Sequence, residues 1–192
     1  VYTFSLIIEG EKYPTRLRMP GAHNVYNAVL AASLAAYAGV DGQVIANALS
    51  SFKGIKRRFE FHSNNPIIIE DYAHHPTELQ ALLNSIEELY PSKKATLVFQ
   101  PHLYSRTRDF MEGFQKQLSR TAYTLILPIY PAREKSIPGI TSKVLAQKIE
   151  CAELISKEAL PKRLKALNPD VLLLVGAGDI GDLVATIKEE LT

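Results

Sequence analysis

The stretch IIIEDYAHHPTE, residues 67–78, joins a buried strand to the start of a helix through a polar loop. Three β-branched residues, Ile67 to Ile69, predict a central strand that ends in the acidic pair Glu70-Asp71. Pro76 suits the first turn of a helix, and apolar residues recur at helical spacing from Thr77 to Tyr90. The intervening loop is therefore expected at the carboxyl end of a strand.

That loop carries a carboxylate, a phenol and two imidazoles, which come from Asp71, Tyr72, His74 and His75. Ligands of open α/β sheets bind at the carboxyl ends of the strands, so these side chains are expected at the active edge. The alternative is that they only cap the helix and face solvent, as polar loop residues often do.

From about residue 55 onward, predicted strands and helices alternate. The strands are predicted at 58–62, 67–70, 95–99, 123–128, 152–155 and 171–175, and the helices at 77–90, 107–118, 142–149, 157–167 and 180–191. This alternation predicts an α/β fold with a mostly parallel sheet and helices on both faces.

The first 54 residues predict a separate and smaller unit. A hairpin is expected from Tyr2–Ile8 and Lys12–Leu17, followed by a helix over residues 25–37 and a second short helix capped by Asp41. A hairpin and two helices make an incomplete unit. Because the chain also opens on Val1 rather than Met, we expect a fragment or a processed chain.

The composition is typical of a globular protein and excludes several other classes. There are 192 residues, of which 46% are hydrophobic, and 22 Lys and Arg balance 20 Asp and Glu, so no nucleic-acid partner is expected. The longest apolar run, residues 28–40, is shorter than the roughly 20 residues that span a bilayer, and no secretory signal opens the chain. One cysteine, Cys151, fits the reducing cytoplasm.

Two arginines follow the predicted strand at 95–99. Arg106 and Arg108 lie near a predicted helix start, where a guanidinium fork and free N–H groups suit a carboxylate or a phosphate. The sequence therefore predicts an anion site. The alternative is that these arginines only pair with Asp109 or Glu112 on a solvated face.

Residues 176–181, GAGDIG, match the G-x-G-x-x-G pattern between a strand and a helix. A dinucleotide fold needs a further strand after that helix, with an acidic residue for the ribose, and the chain ends at Thr192. We therefore interpret the glycines as a tight turn with close strand-to-helix packing.

Five motifs occur in the order seen in the Mur ligases, a resemblance that covers essentially the whole chain. They are Pro20-Gly21-x-His23-Asn24-x-x-Asn27, Lys56-Arg57-Arg58-Phe59, Asp71-Tyr72-Ala73-His74-His75-Pro76-Thr77-Glu78, Phe99-Gln100-Pro101-His102 and Gly176-Ala177-Gly178. The resemblance implies that residues 1–54 are the tail of a central ATP-binding domain and that residues 55–192 are the Rossmann-like C-terminal domain. No phosphate loop of the G-x-x-x-x-G-K-[ST] type occurs in the sequence.

The resemblance also implies the chemistry, which is ATP-driven amide formation through an acyl phosphate in peptidoglycan synthesis, with ATP and Mg²⁺ as cofactors. The resemblance is strongest to the family members that add L-alanine to UDP-N-acetylmuramate. The implied contacts to ATP are His23, Asn24, Arg58 and Asp71. The implied catalytic residues are His74 and Tyr72, and the implied substrate-binding residues are His102, Arg106 and Arg108. No metal ligand is assigned.

One position departs from the family pattern, because Leu103 stands where relatives often have an arginine. Arg108 or Arg133 would then take over part of the carboxylate recognition. Two alternatives remain, a murein tripeptide ligase and a metal-dependent hydrolase that uses His74, His75 and His102. Adjacent histidines on an extended loop point in different directions, which is poor metal geometry.

Overall fold

The computed structural model describes residues 2–192, which divide between Ile55 and Lys56 into two compact units. The first unit contains an antiparallel hairpin and two helices, namely β1 (Tyr2–Ile8), β2 (Glu11–Leu17), α1 (Ala22–Tyr37) and α2 (Gly42–Ser51). Asp41 caps α2 as expected, because its carboxylate accepts hydrogen bonds from the N–H groups of Gln43 and Val44.

The first unit buries only a small apolar core, centred on Leu6, Ala32 and Ile45. Helix α1 leaves large apolar side chains exposed along its length, among them Tyr26, Leu30, Leu34 and Tyr37, the last of which is 93% exposed. Because burial of apolar area is the main stabilising term, this unit holds few of the contacts that stabilise a fold.

The second unit is a six-stranded sheet with helices on both faces. Its strands are β3 (Glu60–Asn64), β4 (Ile67–Asp71), β5 (Ala95–Phe99), β6 (Tyr123–Ile126), β7 (Ala152–Leu154) and β8 (Val171–Val175). Its helices are α3 (Pro76–Leu89), α4 (Tyr104–Asp109), α5 (Met111–Leu118), α6 (Ser142–Ala146), α7 (Leu160–Leu167) and α8 (Val184–Leu191), and a 3₁₀ turn spans Asp179–Leu183. Only β3 runs antiparallel to its neighbour, so the predicted α/β class is confirmed.

The strand order is β3-β4-β8-β5-β6-β7, so the last strand of the chain lies between β4 and β5. Asp71 and Phe99 both stand opposite Val175 in the register. The loops that follow these three strands therefore begin side by side, at the switch in strand order where α/β sheets bind ligands.

Alternate residues of the central strands enter two separate cores. Ile69, Leu97 and Leu173 face one core, together with residues of α3, α5 and α6. Ile68 and Val98 face the other, together with residues of α7 and α8. This two-sided burial explains why the central strands are continuous apolar runs.

Several predicted boundaries are wrong, and each has a tertiary cause. The helix predicted over 107–118 is two helices, because Phe110 leaves the helical conformation and its ring packs on His75 at 4.4 Å. The strand predicted over 58–62 begins at Glu60, because Arg57 and Phe59 adopt positive φ angles of 60° and 50° in a turn. The last helix begins with a 3₁₀ turn, where the side chain of Gln100 accepts the N–H of Ile180.

Three further boundaries differ by a few residues. Helix α7 starts at Leu160, α6 ends at Ala146 and β6 ends at Ile126. Helix ends fray and are poorly specified by periodicity, which accounts for differences of this size.

Candidate active site at the carboxyl edge of the sheet

An ion pair between half-buried Arg57 and buried Glu70 lies at the edge of the sheet. The Glu70 side chain is only 3% exposed, and it accepts a hydrogen bond from Arg57 Nε at 2.8 Å and lies 3.0 Å from His62 Nε2. The same guanidinium donates to the carbonyls of Gly176 and Gly178 at 2.7 and 3.0 Å. Arg57 therefore ties the loop after β8 to strand β4.

The glycines of the loop after β8 allow close approach, as the sequence predicted. A Cβ on Gly176 would lie 2.8 Å from the carbonyl oxygen of Gln100, and one on Gly181 would lie 2.6 Å from Glu70 Oε1. The Gln100 side chain, in a residue only 1% exposed, donates to Asp179 and fixes the start of the 3₁₀ turn. The glycines thus serve packing between strands and helix.

Asp71 ends strand β4 with its carboxylate already partly engaged. It accepts the N–H of Phe59 and the N–H of Ala73, both at 2.8 Å. Burial raises the pKa of this carboxyl above its ordinary value, although the two N–H donors and the charge of Arg58 act in the opposite direction. An ionised carboxylate has about four acceptor positions, so Asp71 keeps two for a ligand hydroxyl.

The Tyr72 ring lies beside two guanidinium groups. The Arg57 and Arg58 Cζ atoms are 4.9 and 5.4 Å from its centroid, within the range of cation–π attraction. Arg57 is engaged in the buried network, whereas Arg58 is exposed. Arg58 is thus the member of the pair that is accessible to an anionic ligand.

The hydrogen bonds of His74 define its tautomer. Its Nδ1 lies 2.9 Å from the carbonyl oxygen of Tyr72, which can only accept, so Nδ1 carries the proton. The Glu78 carboxylate lies 3.3 Å from the same nitrogen. In neutral His74, Nε2 is therefore the nitrogen that can take up a proton.

His75 plays a structural part at the start of α3. Its Nδ1 accepts the N–H of Thr77, and Glu78 closes the capping box from the other side. Its ring packs on Phe110. The two adjacent histidines thus have different partners, which does not suit a shared metal ion.

His102, Arg106 and Tyr130 meet where β5 and β6 end, and with His74 we name them the His102 cluster. Arg106 Nη1 lies 3.1 Å from His102 Nδ1, and the Tyr130 ring stacks on the imidazole with centroids 5.6 Å apart. The His74 and His102 centroids are 6.1 Å apart. Burial lowers the pKa of His102, and the charges of Arg106 and His74 lower it further, so the neutral form is favoured.

The segment after Tyr130 fixes the helix that carries Arg106. The Glu134 carboxylate accepts both the N–H and the hydroxyl of Ser105, in the first turn of α4. These hydrogen bonds lower the pKa of Glu134 below its ordinary value, with a smaller contribution from the charge of Arg106. Glu134 is therefore ionised and anchored beside the cluster.

Arg108 and Leu103 do not supply a second cation to the cluster. Arg108 is exposed and forms an ion pair with Asp109 at 2.7 Å, which is the alternative that the sequence left open. Leu103 has a φ of 73° and precedes α4, and its N–H donates to the carbonyl of Tyr130. Arg106 is therefore the arginine that contacts His102.

His23 and Asn24 belong to the first unit, whereas Arg58 and Asp71, the other predicted ATP contacts, belong to the second. Helix α1 begins at Ala22 rather than at residue 25, so both residues form its first turn. The Asn24 amide donates to the carbonyl of Pro20 at 2.6 Å, and His23 is exposed. An amide side chain has one acceptor oxygen and two N–H donors, and this contact uses one of the donors.

Four residues of this edge had no specific role assigned from the sequence, namely Arg57, Glu70, Tyr130 and Glu134. Arg57 could have been noticed in the sequence because it precedes Arg58, and Glu70 could have been noticed because it ends an apolar strand. Within residues 2–192, three potential cation ligands, Glu60, His62 and Glu70, lie within 4.8 Å of one another. Arg57 already pairs with Glu70 there, so ion pairs account for this group.

The sequence family described as Mur ligase, glutamate ligase domain, matches residues 57–179. The UDP-N-acetylmuramate–L-alanine ligase of Flavobacterium psychrophilum is 49% identical over 177 residues, covering 90% of this chain and 40% of that protein. The enzyme of the same name from Porphyromonas gingivalis is 42% identical over 187 residues, covering 95% and 41%.

Two solved structures share the fold. The UDP-N-acetylmuramate-alanine ligase of Thermotoga maritima matches with a TM-score of 0.75 and 28% identity, covering 94% of this chain and 40% of that one. A murein peptide ligase of Psychrobacter arcticus matches with a TM-score of 0.66 and 21% identity, covering 94% and 39%. The chain spans about 40% of the length of the curated relatives that it matches. No helix among residues 2–192 is long and apolar enough to cross a membrane.

Proposed function

The chain belongs to the Mur ligase family, and on that premise we propose that it is the carboxyl-terminal part of an ATP-dependent ligase that joins L-alanine to UDP-N-acetylmuramate. We assign residues 1–54 to the tail of the central ATP-binding domain and residues 55–192 to the C-terminal domain. The reaction forms an amide during peptidoglycan synthesis and belongs in the cytoplasm, where a single exposed cysteine stays reduced.

The single observation that carries this proposal is the contact between Arg106 and His102. A guanidinium only donates, so the hydrogen bond to His102 Nδ1 uses one of its donors and leaves the rest of the fork for a carboxylate. The contact also limits the rotation of the arginine side chain. Arg106 would hold the carboxylate of L-alanine and thereby fix the direction of its amino group.

His74 is the proposed acceptor of the amine proton. An amino acid is an ammonium ion at neutral pH, and its nitrogen attacks an acyl group only after it loses a proton. Nε2 of His74 is the ring nitrogen that takes up the proton, while the contacts of Nδ1 with the Tyr72 carbonyl and Glu78 hold the ring in place. Tyr72, whose ring lies beside His74 at 5.4 Å, limits the orientations of that imidazole.

ATP with Mg²⁺ would supply the phosphoryl group that activates the carboxylate of UDP-N-acetylmuramate as an acyl phosphate. Asp71 keeps acceptor positions for the ribose hydroxyls, and exposed Arg58 offers a cation to the phosphates. His23 and Asn24, in the first unit, would contact the adenine. The residues of this chain thus position the reactants and stabilise charge, and no protein nucleophile is required.

The murein tripeptide ligase remains the second candidate, and it differs in the amine that it uses. The two curated relatives described above, which are 49% and 42% identical, carry the alanine ligase name, which favours L-alanine. The murein peptide ligase structure, at 21% identity, supports the fold alone.

The test uses the intact enzyme that contains this chain and the 192-residue chain itself, each with ATP and Mg²⁺. We expect the intact enzyme to release phosphate when UDP-N-acetylmuramate and L-alanine are both present. The chain alone should be inactive, because its sequence contains no phosphate loop. Turnover with a tripeptide but not with L-alanine would establish the second candidate, and turnover with neither amine would refute the ligase proposal.

A further inference from the structure

The backbone of Tyr130 is fixed against the loop that carries His102. Its N–H donates to the carbonyl of Pro101 at 2.8 Å, and its carbonyl accepts the N–H of Leu103 at 2.9 Å. These two hydrogen bonds flank His102 and form a parallel bridge between Tyr130 and His102. Tyr130 is thus held beside His102 independently of its side chain.

The Tyr130 ring then defines the plane of the imidazole. The two rings are inclined by only 18° with centroids 5.6 Å apart. Rotation of the His102 imidazole about its Cβ–Cγ bond would break this stacking and would move Nδ1 away from Arg106 Nη1. The orientation of His102, and through it that of Arg106, therefore depends on the Tyr130 ring.

Gly178 provides the space for that ring. A Cβ at this position would clash with Gln100 Oε1 and would lie 2.7 Å from Tyr130 Cγ and 2.8 Å from Tyr130 Cβ, closer than real Cβ contacts. The backbone of Gly178 has a φ of −83°, which residues other than glycine adopt readily. Glycine is therefore required here for space and not for backbone conformation.

We propose that Tyr130, packed against Gly178, is a positioning residue for amino-acid binding. Its ring orients His102, and His102 in turn orients the guanidinium of Arg106 toward the substrate carboxylate. This inference rests on the proposed function, and it gives the middle glycine of the GAGDIG loop a role in substrate recognition.

The kinetic test compares three variants of the intact enzyme. Tyr130→Leu should raise the KM for L-alanine by about 2- to 12-fold, the range that an aromatic pair supplies, and should leave the KM for ATP unchanged. Tyr130→Phe keeps the ring and should behave as the wild type. Phe110→Leu is the matched control, because it removes a similar ring contact to a different histidine, His75.

A smaller perturbation tests the same coupling without removing either ring. Gly178→Ala places a Cβ against both Tyr130 and the Gln100 side chain, and by displacing Tyr130 it should also raise the KM for L-alanine. An equal rise in both KM values, or an unchanged KM for L-alanine in Tyr130→Leu, would overturn the proposal. Failure of Tyr130→Phe to restore the wild-type KM would also overturn it.

A second measurement does not depend on activity. In NMR spectra of the 192-residue chain, the ¹⁵N signal of His102 Nδ1, which chiefly reports its hydrogen bond with Arg106, should shift in Tyr130→Leu and stay in place in Phe110→Leu. Unchanged His102 signals in Tyr130→Leu would refute the positioning role. If the wild-type enzyme does not use L-alanine but the signals shift as expected, the proposed substrate is wrong and the orientation of His102 by Tyr130 stands.

Discussion

The imidazoles of His74 and His102 lie 6.1 Å apart, and their hydrogen-bond partners assign them opposite tautomers. His74 Nδ1 faces a carbonyl and carries a proton, whereas His102 Nδ1 faces a guanidinium and accepts. Nε2 of neutral His74 is therefore an acceptor, and Nε2 of neutral His102 is a donor. The two histidines are thus suited to different tasks, proton uptake and orientation of Arg106.

The titration of His102 is the first prediction. Its pKa should lie below the ordinary 6.5, because burial and the neighbouring charges of Arg106 and His74 disfavour the imidazolium. Arg106→Ala removes one of these causes and should raise the pKa, whereas Arg108→Ala should change it less. NMR titration that resolves the individual histidines measures the His102 pKa in the wild-type 192-residue chain and in both variants. A His102 pKa above 6.5 in the wild type would contradict this prediction.

The same shift predicts how stability depends on pH. Since the folded state holds the pKa of His102 below its unfolded value of 6.5, its contribution is present above that pH. It is lost as the pH falls from 6.5 through the folded pKa, because the unfolded state then binds more protons. Urea denaturation of wild type and His102→Gln should therefore show a stability difference that shrinks as the pH falls through this window. A difference that grows would mean that the sign is wrong.

The ion pair of Arg57 with the buried Glu70 should contribute more to stability than the exposed ion pairs. Glu70→Ala removes the charged partner of a half-buried guanidinium that keeps its two carbonyl acceptors, and it should lower the free energy of unfolding by about 1.5–3 kcal/mol. The exposed pair of Lys165 and Glu190 is the matched control, and Lys165→Ala should cost at most about 1 kcal/mol. Urea denaturation that gave equal costs for the two variants would refute this ranking.

The two units should differ in local stability. We expect amide hydrogens in residues 2–55 to exchange faster than those in strands β4, β5 and β8, because the first unit has a small core and an exposed apolar face on α1. Hydrogen exchange followed by mass spectrometry resolves the two regions. Equal protection in both would show that the first unit has stabilising contacts beyond those described above.

Much of the sheet was predictable from the sequence because its central strands are short, continuous apolar runs. Val171–Val175 is a continuous apolar run buried on both faces, and such runs are typical of parallel strands. The break at Phe110 was not predictable, because it depends on a contact with His75, which precedes α3. The insertion of β8 between β4 and β5 is a long-range pairing that local periodicity does not encode.

The candidate site was also only partly predictable from the sequence. The polar loop after β4 was identified from its position, and the family resemblance singled out His102 and Arg106. Tyr130 was missed as a site residue, because only the tertiary fold stacks its ring on His102. The helix-start pattern alone did not distinguish Arg106 from Arg108, and the pairing of Arg108 with Asp109 is visible only in the structure.

Steady-state kinetics of Arg106→Ala and Arg108→Ala in the intact enzyme tests the central claim most directly. Arg106→Ala should raise the KM for L-alanine by roughly 10- to 150-fold, since a charge-assisted contact contributes about 1.5–3 kcal/mol, and should leave the KM for ATP nearly unchanged. Arg108→Ala should stay close to wild type in both. An unchanged KM for L-alanine together with a raised KM for ATP in Arg106→Ala would contradict the account and would place Arg106 at the phosphates.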